Sequence, residues 1–249
     1  MRRLPLVLAL ALLASCTGGG PATPTGPPSP TGSPSPTGAP GPTTSPSPSP
    51  APAFDLPPGA PTTFDRDLPP TEVPIAPLLP EGARSEGVVY LGAEGEPARI
   101  AVLWSRGEDP LARMRGLAVW APFEDPPPWR VVYAFTDRPR EQVLGIRPQT
   151  GDLTGDGRED LLTFEETGGT GACGRWRVIA QTEGGAEEIL HRETCDTTID
   201  LTGEGTLLVR EAVFAPDDPH CCPSAVRLTT LAWTGARWRV VERSVGPAV

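Results

Sequence analysis

Alternation between apolar and polar positions dominates the chain from residue 81 to its end. In one such run, Trp176 and Val178 alternate with Arg175 and Arg177. A period of two puts successive side chains on opposite faces of a strand, so each run predicts a β-strand with one buried face. Ten runs rich in β-branched and aromatic residues fit this description: 88–91, 99–104, 116–120, 129–135, 142–146, 160–164, 175–181, 206–214, 225–233 and 238–243.

Turn-forming residues separate these runs. Clusters rich in Gly, Pro or acidic residues, some with Thr, occupy 124–128, 168–171, 184–185 and 234–235, and such clusters are typical of loops between strands. No segment carries a helical stripe, and 108–114 is the best candidate for a single helical turn. The pattern therefore predicts an all-β domain of antiparallel meanders, which form either a sandwich or a few propeller-like units of four strands.

A short motif occurs twice within this domain. The sequence DLTGDG at 152–157 returns as DLTGEG at 200–205, and an apolar strand follows each copy. Repetition at a fixed spacing is typical of architectures built from similar units. The motif therefore predicts two related units.

The N-terminus has the pattern of an export signal. Arg2 and Arg3 precede an apolar run, 4–14, which is too short to span a bilayer because a spanning helix needs about 20 apolar residues. The run ends in Leu-Ala-Ser-Cys at 13–16, which resembles the lipobox of bacterial lipoproteins. That resemblance implies that residues 1–15 are a signal peptide and that Cys16 carries lipid. The protein would then be exported and anchored to the extracytoplasmic side of a bacterial membrane.

Two Pro-rich segments follow the anchor. Residues 17–53 contain neither a charged residue nor a large apolar one, so the segment 16–53 is expected to consist of the lipidated Cys16 and a disordered tether. Residues 54–80 remain Pro-rich but regain large apolar residues such as Phe64 and Ile75, which predicts an extended strap along the domain surface. The remaining segment, 81–249, is long enough for one β domain with a substantial core.

The charge balance argues against nucleic acid as a partner. Cleavage of the predicted signal peptide removes Arg2 and Arg3. The rest of the chain then has 19 arginines and 31 acidic residues, which gives a formal charge of −12. The expected partners are the membrane, through the lipid anchor, and an envelope polymer or protein.

Four cysteines remain after Cys16, and in an exported domain they predict two disulfides. Of three possible connectivities, Cys173 with Cys195 and Cys221 with Cys222 is favoured because the first pair closes a loop of convenient length. The crossed pairings stay open, since a vicinal bridge constrains little of the unfolded chain.

The first copy of the repeated motif has the spacing of a cation loop. Asp152, Thr154, Asp156 and Asp160 place side-chain oxygens at positions 1, 3, 5 and 9, and the carbonyl of Arg158 lies at position 7. This loop resembles the calcium loops of FG-GAP and VCBS-type repeats, which implies a Ca²⁺ site at these five residues.

Several features limit that calcium prediction. Thr154 stands where those repeats usually have Asn or Asp, so the predicted site is weak. An EF-hand is disfavoured because position 12 is Thr163 rather than Glu. The alternative is an acidic turn without metal. In the second copy Leu208 replaces the last carboxylate, so that loop is expected to be structural only.

A second motif, HCCPS at 220–224, lies near the C-terminus. It resembles a Cys-Cys-Pro-Ser element of uncharacterised bacterial exported proteins, a likeness that implies no activity. An oxidised disulfide is the favoured interpretation. A soft-metal or redox site formed by His220, Cys221 and Cys222 is the alternative.

Familiar catalytic patterns are missing from the sequence. The chain has two histidines, no Gly-x-Ser-x-Gly and no phosphate-binding lysine motif. Glu165 and Glu166 are adjacent, so on a strand they point to opposite faces and make a poor acid–base pair. The six tryptophans are expected in the core and at its edges. The resulting hypothesis is a non-enzymatic binding module, with a hydrolase of envelope polymers and a redox or soft-metal lipoprotein as alternatives.

Overall fold

The computed structural model describes residues 55–93, 95–110, 112–137, 143–168, 173–203, 205–219 and 221–248. The predicted signal segment, Cys16 and the tether lie outside these ranges, as do Glu204 and His220. In the described part, 3₁₀ helices span Pro70–Glu72 and Ala76–Leu78, and no helix there is long and apolar enough to cross a membrane. The strands are β1 (Thr63–Phe64), β2 (Ala83–Ala93), β3 (Glu96–Arg106), β4 (Met114–Pro122), β5 (Trp129–Thr136), β6 (Val143–Gly151), β7 (Asp160–Thr167), β8 (Gly174–Thr182), β9 (Gly185–Thr194), β10 (Thr197–Leu201), β11 (Thr206–Val213), β12 (Ala225–Trp233) and β13 (Trp238–Pro247).

These strands form three antiparallel sheets, each built from a meander of four consecutive strands. Sheet 1 has the order β1-β5-β4-β3-β2, sheet 2 has β6-β7-β8-β9, and sheet 3 has β10-β11-β12-β13. The all-β prediction is confirmed. Apart from β1, which pairs with β5, every strand pairs with its neighbours in the chain, as the short connections between consecutive strands favour.

The strap covers one face of sheet 1. Val73 and Leu78 are buried against Ile100, Trp120 and Trp129 of that sheet, which gives this face a core without a second sheet. Strand β1, within the strap, also pairs with the edge of β5. Other apolar strap residues pack around this core: Leu56, Phe64, Leu68, Ile75 and Leu79.

The other face of sheet 1 packs against sheet 2. Leu161 and Ile179 of sheet 2 are buried in one cluster with apolar residues of sheet 1. Arg99 of β3 joins the same two sheets, because its guanidinium donates to the carbonyl of Thr182, at 2.6 Å, and to that of Gly185. The sheet 1 side of this core comprises Leu91, Ala101, Leu103, Leu117, Val119, Tyr133 and Phe135.

Sheet 2 buries its opposite face against sheet 3. Leu162 and Val178 meet Ile199, Leu207 and Val209 in a separate apolar cluster. The strap, sheet 1, sheet 2 and sheet 3 are therefore stacked as layers in chain order.

The far face of sheet 3 has no layer packed on it among the described residues. The register pairs Thr198 with Arg210 and Arg210 with Leu228, while Ala212 pairs with Val226. These five residues point away from sheet 2, because they alternate with residues that are buried against it. We call them the outer face of sheet 3.

Several elements differ from the sequence prediction. Three four-stranded units are present, not two, and strands β1, β9 and β10 were not predicted. Strand β9 was missed because it is half-exposed and rich in polar residues, which weakens the alternation. The described residues of 108–114 form a hydrogen-bonded turn instead of a helical one, with the Ala112 N–H donating to Asp109 O.

Four tryptophans confirm the expectation of core positions. Trp104, Trp120, Trp129 and Trp176 are buried. Trp233 and Trp238 are half-buried at the β12–β13 turn, where their ring centroids lie 5.5 Å apart.

Candidate functional site

The predicted cation loop connects β6 to β7 and is organised around Asp152. The Asp152 carboxylate accepts hydrogen bonds from the backbone N–H groups of Gly155, Asp156 and Gly157, at 2.6, 3.2 and 3.0 Å. Both glycines have a positive φ, 75° and 83°, which an L side chain rarely adopts. The two glycines therefore allow the tight turn, and the Asp152 carboxylate accepts the backbone N–H groups that point into it.

Asp160, the last predicted ligand, is completely buried. Its Oδ2 accepts the N–H groups of Leu153 and Thr154, both at 2.9 Å, and its Oδ1 accepts that of Gln181 at 2.9 Å. Burial raises the pKa of this carboxyl, while the backbone donors oppose that rise. Hydrogen bonds to the Asp160 carboxylate therefore connect the loop to β8.

The other loop oxygens show how far the site suits Ca²⁺. Asp156 accepts the N–H of Arg158, and its Oδ2 lies 3.2 Å from Nη1 of the same arginine. Thr154 Oγ1 is buried beside the Asp160 carboxylate without a hydrogen bond of good geometry. Its lone pairs are therefore available to coordinate a cation. Within the described residues, no three acidic, His or Cys side chains converge in a metal-binding cluster. The calcium site therefore stays a prediction.

The two copies of the repeated motif lie side by side. Residues of both line one depression of about 290 Å³, among them Asp152 and Leu153 from the first copy and Leu201, Gly203 and Gly205 from the second. Each copy connects the first and second strands of its meander, which explains their spacing. In the first meander the turn after β2 is the corresponding connection between the first and second strands. Gly92, near the end of β2, exchanges hydrogen bonds with Glu159, at the end of the cation loop.

A network of buried charges lies between sheets 1 and 2, beside their apolar core. Glu165 is fully buried and makes ion pairs with Arg175, at 3.0 Å, and with Arg177. Arg177 also contacts Glu188 at 2.6 Å, and the Tyr133 hydroxyl donates to Glu188 at 2.7 Å. Burial lowers the pKa of Arg177, but the two glutamates outweigh it, so the net pKa is raised. Glu165 is therefore a structural counter-ion.

The neighbouring Glu166 lies on the opposite face of β7. It is partly exposed and pairs with Arg147. The two glutamates thus point apart, as the strand geometry predicted.

A third buried carboxyl, that of Asp137, follows β5. It accepts the N–H of Arg115 at 2.8 Å, and burial raises its pKa to about 6. The guanidinium of Arg115 donates to the carbonyl of Val143 and so links sheet 1 to sheet 2. Because the folded state holds this proton more tightly than the unfolded state, ionising Asp137 reduces stability as the pH rises from about 4 to about 6.

The cysteines fall into two different pairs. Cys173 and Cys195 form the predicted disulfide across the ends of β8 and β9, with a Cα–Cα distance of 3.8 Å. This pairing rules out the crossed connectivities. Cys221 and Cys222 are separate exposed thiols whose sulfur atoms lie 2.7 Å apart, so the vicinal disulfide stays a prediction.

Comparison with other proteins adds no assignment: no family model, no curated protein and no solved structure matches the chain. The class that the geometry defines is an all-β domain of three stacked meanders with ion pairs buried between the first two.

Most of the buried charged residues carry no signal in the sequence. No prediction was made for Arg99, Arg115, Asp137 or Glu188, because nothing in the local sequence distinguishes these residues from exposed charged residues. One signal was available: the alternation of Arg175 and Arg177 with apolar residues on β8 puts two charges on a single face.

Proposed function

We propose that this chain is a non-enzymatic, lipid-anchored protein of the bacterial cell envelope, and that its β domain binds a partner protein on the extracytoplasmic side. The lipobox-like end of the signal supports the anchor. An extended tether of 37 residues at about 3.1 Å per residue gives a reach of about 115 Å from the membrane.

The non-enzymatic role is supported by the engagement of the buried carboxylates. Glu165 neutralises two arginines, and Asp160 accepts three backbone N–H groups. A catalytic carboxylate must be free to exchange a proton with a substrate. These two residues contribute to stability instead.

The observation that carries the binding role is the outer face of sheet 3. It contains a shallow depression of about 410 Å³, in which Val226 and Leu228 lie beside the charged side chains of Asp196 and Arg210. Half-buried apolar side chains bordered by charges are typical of surfaces that bind proteins.

The strap indicates which kind of partner fits this face. On sheet 1, at the other end of the stack, an irregular segment with several apolar residues covers the corresponding end face. The apolar residues of the outer face could accept the same kind of contact. We therefore expect an extended, apolar segment of a second protein.

Site-specific photo-crosslinking in intact cells tests this role. A photoreactive residue at Leu228, on the outer face, should give a discrete crosslink to one partner protein, and Val226→Glu should abolish it. Leu144 is an exposed apolar residue of β6, away from this face, and serves as the control position.

Three results would contradict the proposal. They are equal crosslinking from both positions, a crosslink insensitive to Val226→Glu, and a product consisting of two copies of this chain.

A further inference from the structure

The loop that carries Cys221 and Cys222 connects β11 to β12 and is held in shape by Asp218. The Asp218 carboxylate accepts the N–H of Ala215 at 2.6 Å, the N–H of Ser224 at 2.8 Å and the Ser224 hydroxyl at 2.6 Å. Within this loop the Cys222 N–H donates to Pro219 O at 2.9 Å. These bonds close both ends of the loop around the two cysteines.

The loop brings the two thiols together at the surface. On an extended strand adjacent side chains point apart, but here the sulfur atoms of Cys221 and Cys222 lie 2.7 Å apart and both residues are exposed. This separation is well below an ordinary non-bonded contact and approaches the length of a disulfide, about 2.05 Å. The contact with the Cys221 sulfur raises the pKa of Cys222, with smaller effects in the same direction from desolvation and from Asp218.

The position of the pair in the chain determines how a bond between these sulfurs would affect stability. The Cys173–Cys195 bridge closes a loop with a sequence separation of 22 and so restricts the unfolded chain. A bridge between adjacent residues restricts almost nothing, so folding contributes little free energy to hold it oxidised. Exposed bridges of this kind are the ones that exchange.

We propose that Cys221 and Cys222 are a redox-active dithiol, which is reversibly converted to a vicinal disulfide by thiol–disulfide exchange with an external disulfide. The oxidant is a disulfide carried by a small molecule or by a thiol–disulfide exchange protein. The Cys173–Cys195 bridge takes no part in the reaction.

The exchange proceeds in two balanced steps. One cysteine, as the thiolate, attacks a sulfur of the external disulfide, forms a mixed disulfide and releases the first external thiolate. The second cysteine then attacks the sulfur of the first, forms the Cys221–Cys222 bond and releases the second external thiolate. The pair loses two electrons and two protons, and the external disulfide gains both.

A redox titration of the full-length protein tests the proposal. The protein is equilibrated in buffers of varied reduced to oxidised glutathione ratio, quenched with acid, alkylated and weighed by mass spectrometry. The number of alkylated thiols at Cys221 and Cys222 should fall from two to zero in one reversible transition, and peptide mapping should assign the change to these two residues and show Cys173–Cys195 oxidised throughout.

Single-cysteine variants serve as matched controls. Cys221→Ser and Cys222→Ser each leave one thiol that cannot be resolved within the chain, so each should accumulate a stable glutathione adduct, which the wild type should not. Three wild-type results would overturn the proposal: two alkylated thiols at every ratio, none even at the most reducing ratio, or lasting glutathione adducts.

Discussion

Glu165 illustrates how a single charge can be essential inside an apolar domain. Its carboxylate has no exposed surface and faces two guanidinium groups, those of Arg175 and Arg177. Taking such charges out of water is costly, and the cost is recovered only when all the partners are present. The arrangement is therefore sensitive to the loss of any one member.

We predict that Glu165→Gln lowers the free energy of unfolding by about 3–5 kcal/mol, because it leaves two buried arginines without their shared counter-charge. Denaturant unfolding followed by tryptophan fluorescence measures the change. Glu166→Gln is the matched control: that side chain is partly exposed and should change stability by no more than about 0.5 kcal/mol. Equal losses in the two variants would contradict the structural role of Glu165.

The loop between β6 and β7 shows how an element can be held by its own acidic residues. Asp152 and Asp160 accept backbone donors, and Asp156 accepts the N–H of Arg158, so each of the three carboxylates has a hydrogen-bond partner within the protein. A cation would still reduce the repulsion among the three carboxylates. The loop is therefore expected to bind Ca²⁺ weakly, with a dissociation constant of about 0.1–1 mM.

At a few millimolar Ca²⁺ such binding adds about 1–2 kcal/mol by mass action, which corresponds to a rise in Tm of about 3–6 °C for a domain of this size. Asp156→Ala should abolish the rise, because it removes a ligand whose side chain bonds only within the loop. Glu204→Ala, in the second copy of the motif, should leave the rise intact. Thermal unfolding in Ca²⁺ and in EDTA distinguishes them, and the same calcium response in wild type and Asp156→Ala would leave the acidic-turn interpretation in place.

At the scale of the whole molecule, the domain is a stack with two different ends. The strap covers sheet 1, while the outer face of sheet 3 remains open in the described part of the chain. The proposed anchor and tether precede the strap in sequence. Binding at sheet 3 would then use the end of the stack that the strap does not cover.

The lipid anchor itself is tested by Cys16→Ser. This variant should incorporate no labelled fatty acid and should leave the membrane fraction, because the domain has no other attachment in this proposal. Cys222→Ser also removes one cysteine, and it should keep both the label and the membrane association. A Cys16→Ser protein that remains lipid-labelled and membrane-bound would refute the anchor.

The sequence by itself determined the class of the fold, because alternation with a period of two specifies strands and turn residues specify where they reverse. Eight of the ten predicted runs lie wholly inside observed strands; 142–146 starts at residue 142, which is outside the described ranges, and 206–214 extends one residue past β11. The sequence also predicted the Cys173–Cys195 bridge, whose two residues are linked by a single intervening hairpin. These features depend on short stretches of chain, and short stretches can be interpreted from local composition.

The tertiary structure alone decided which strands stack and which charges become buried. Glu165 and Tyr133 are brought into one network only when sheet 2 packs on sheet 1, and nothing local to either residue encodes that contact. Of the strands that were missed, β9 and β10 carry little apolar alternation of their own and are held by pairing with β8 and β11. Their structure comes from hydrogen bonds to neighbours and from burial against another sheet, which are non-local interactions.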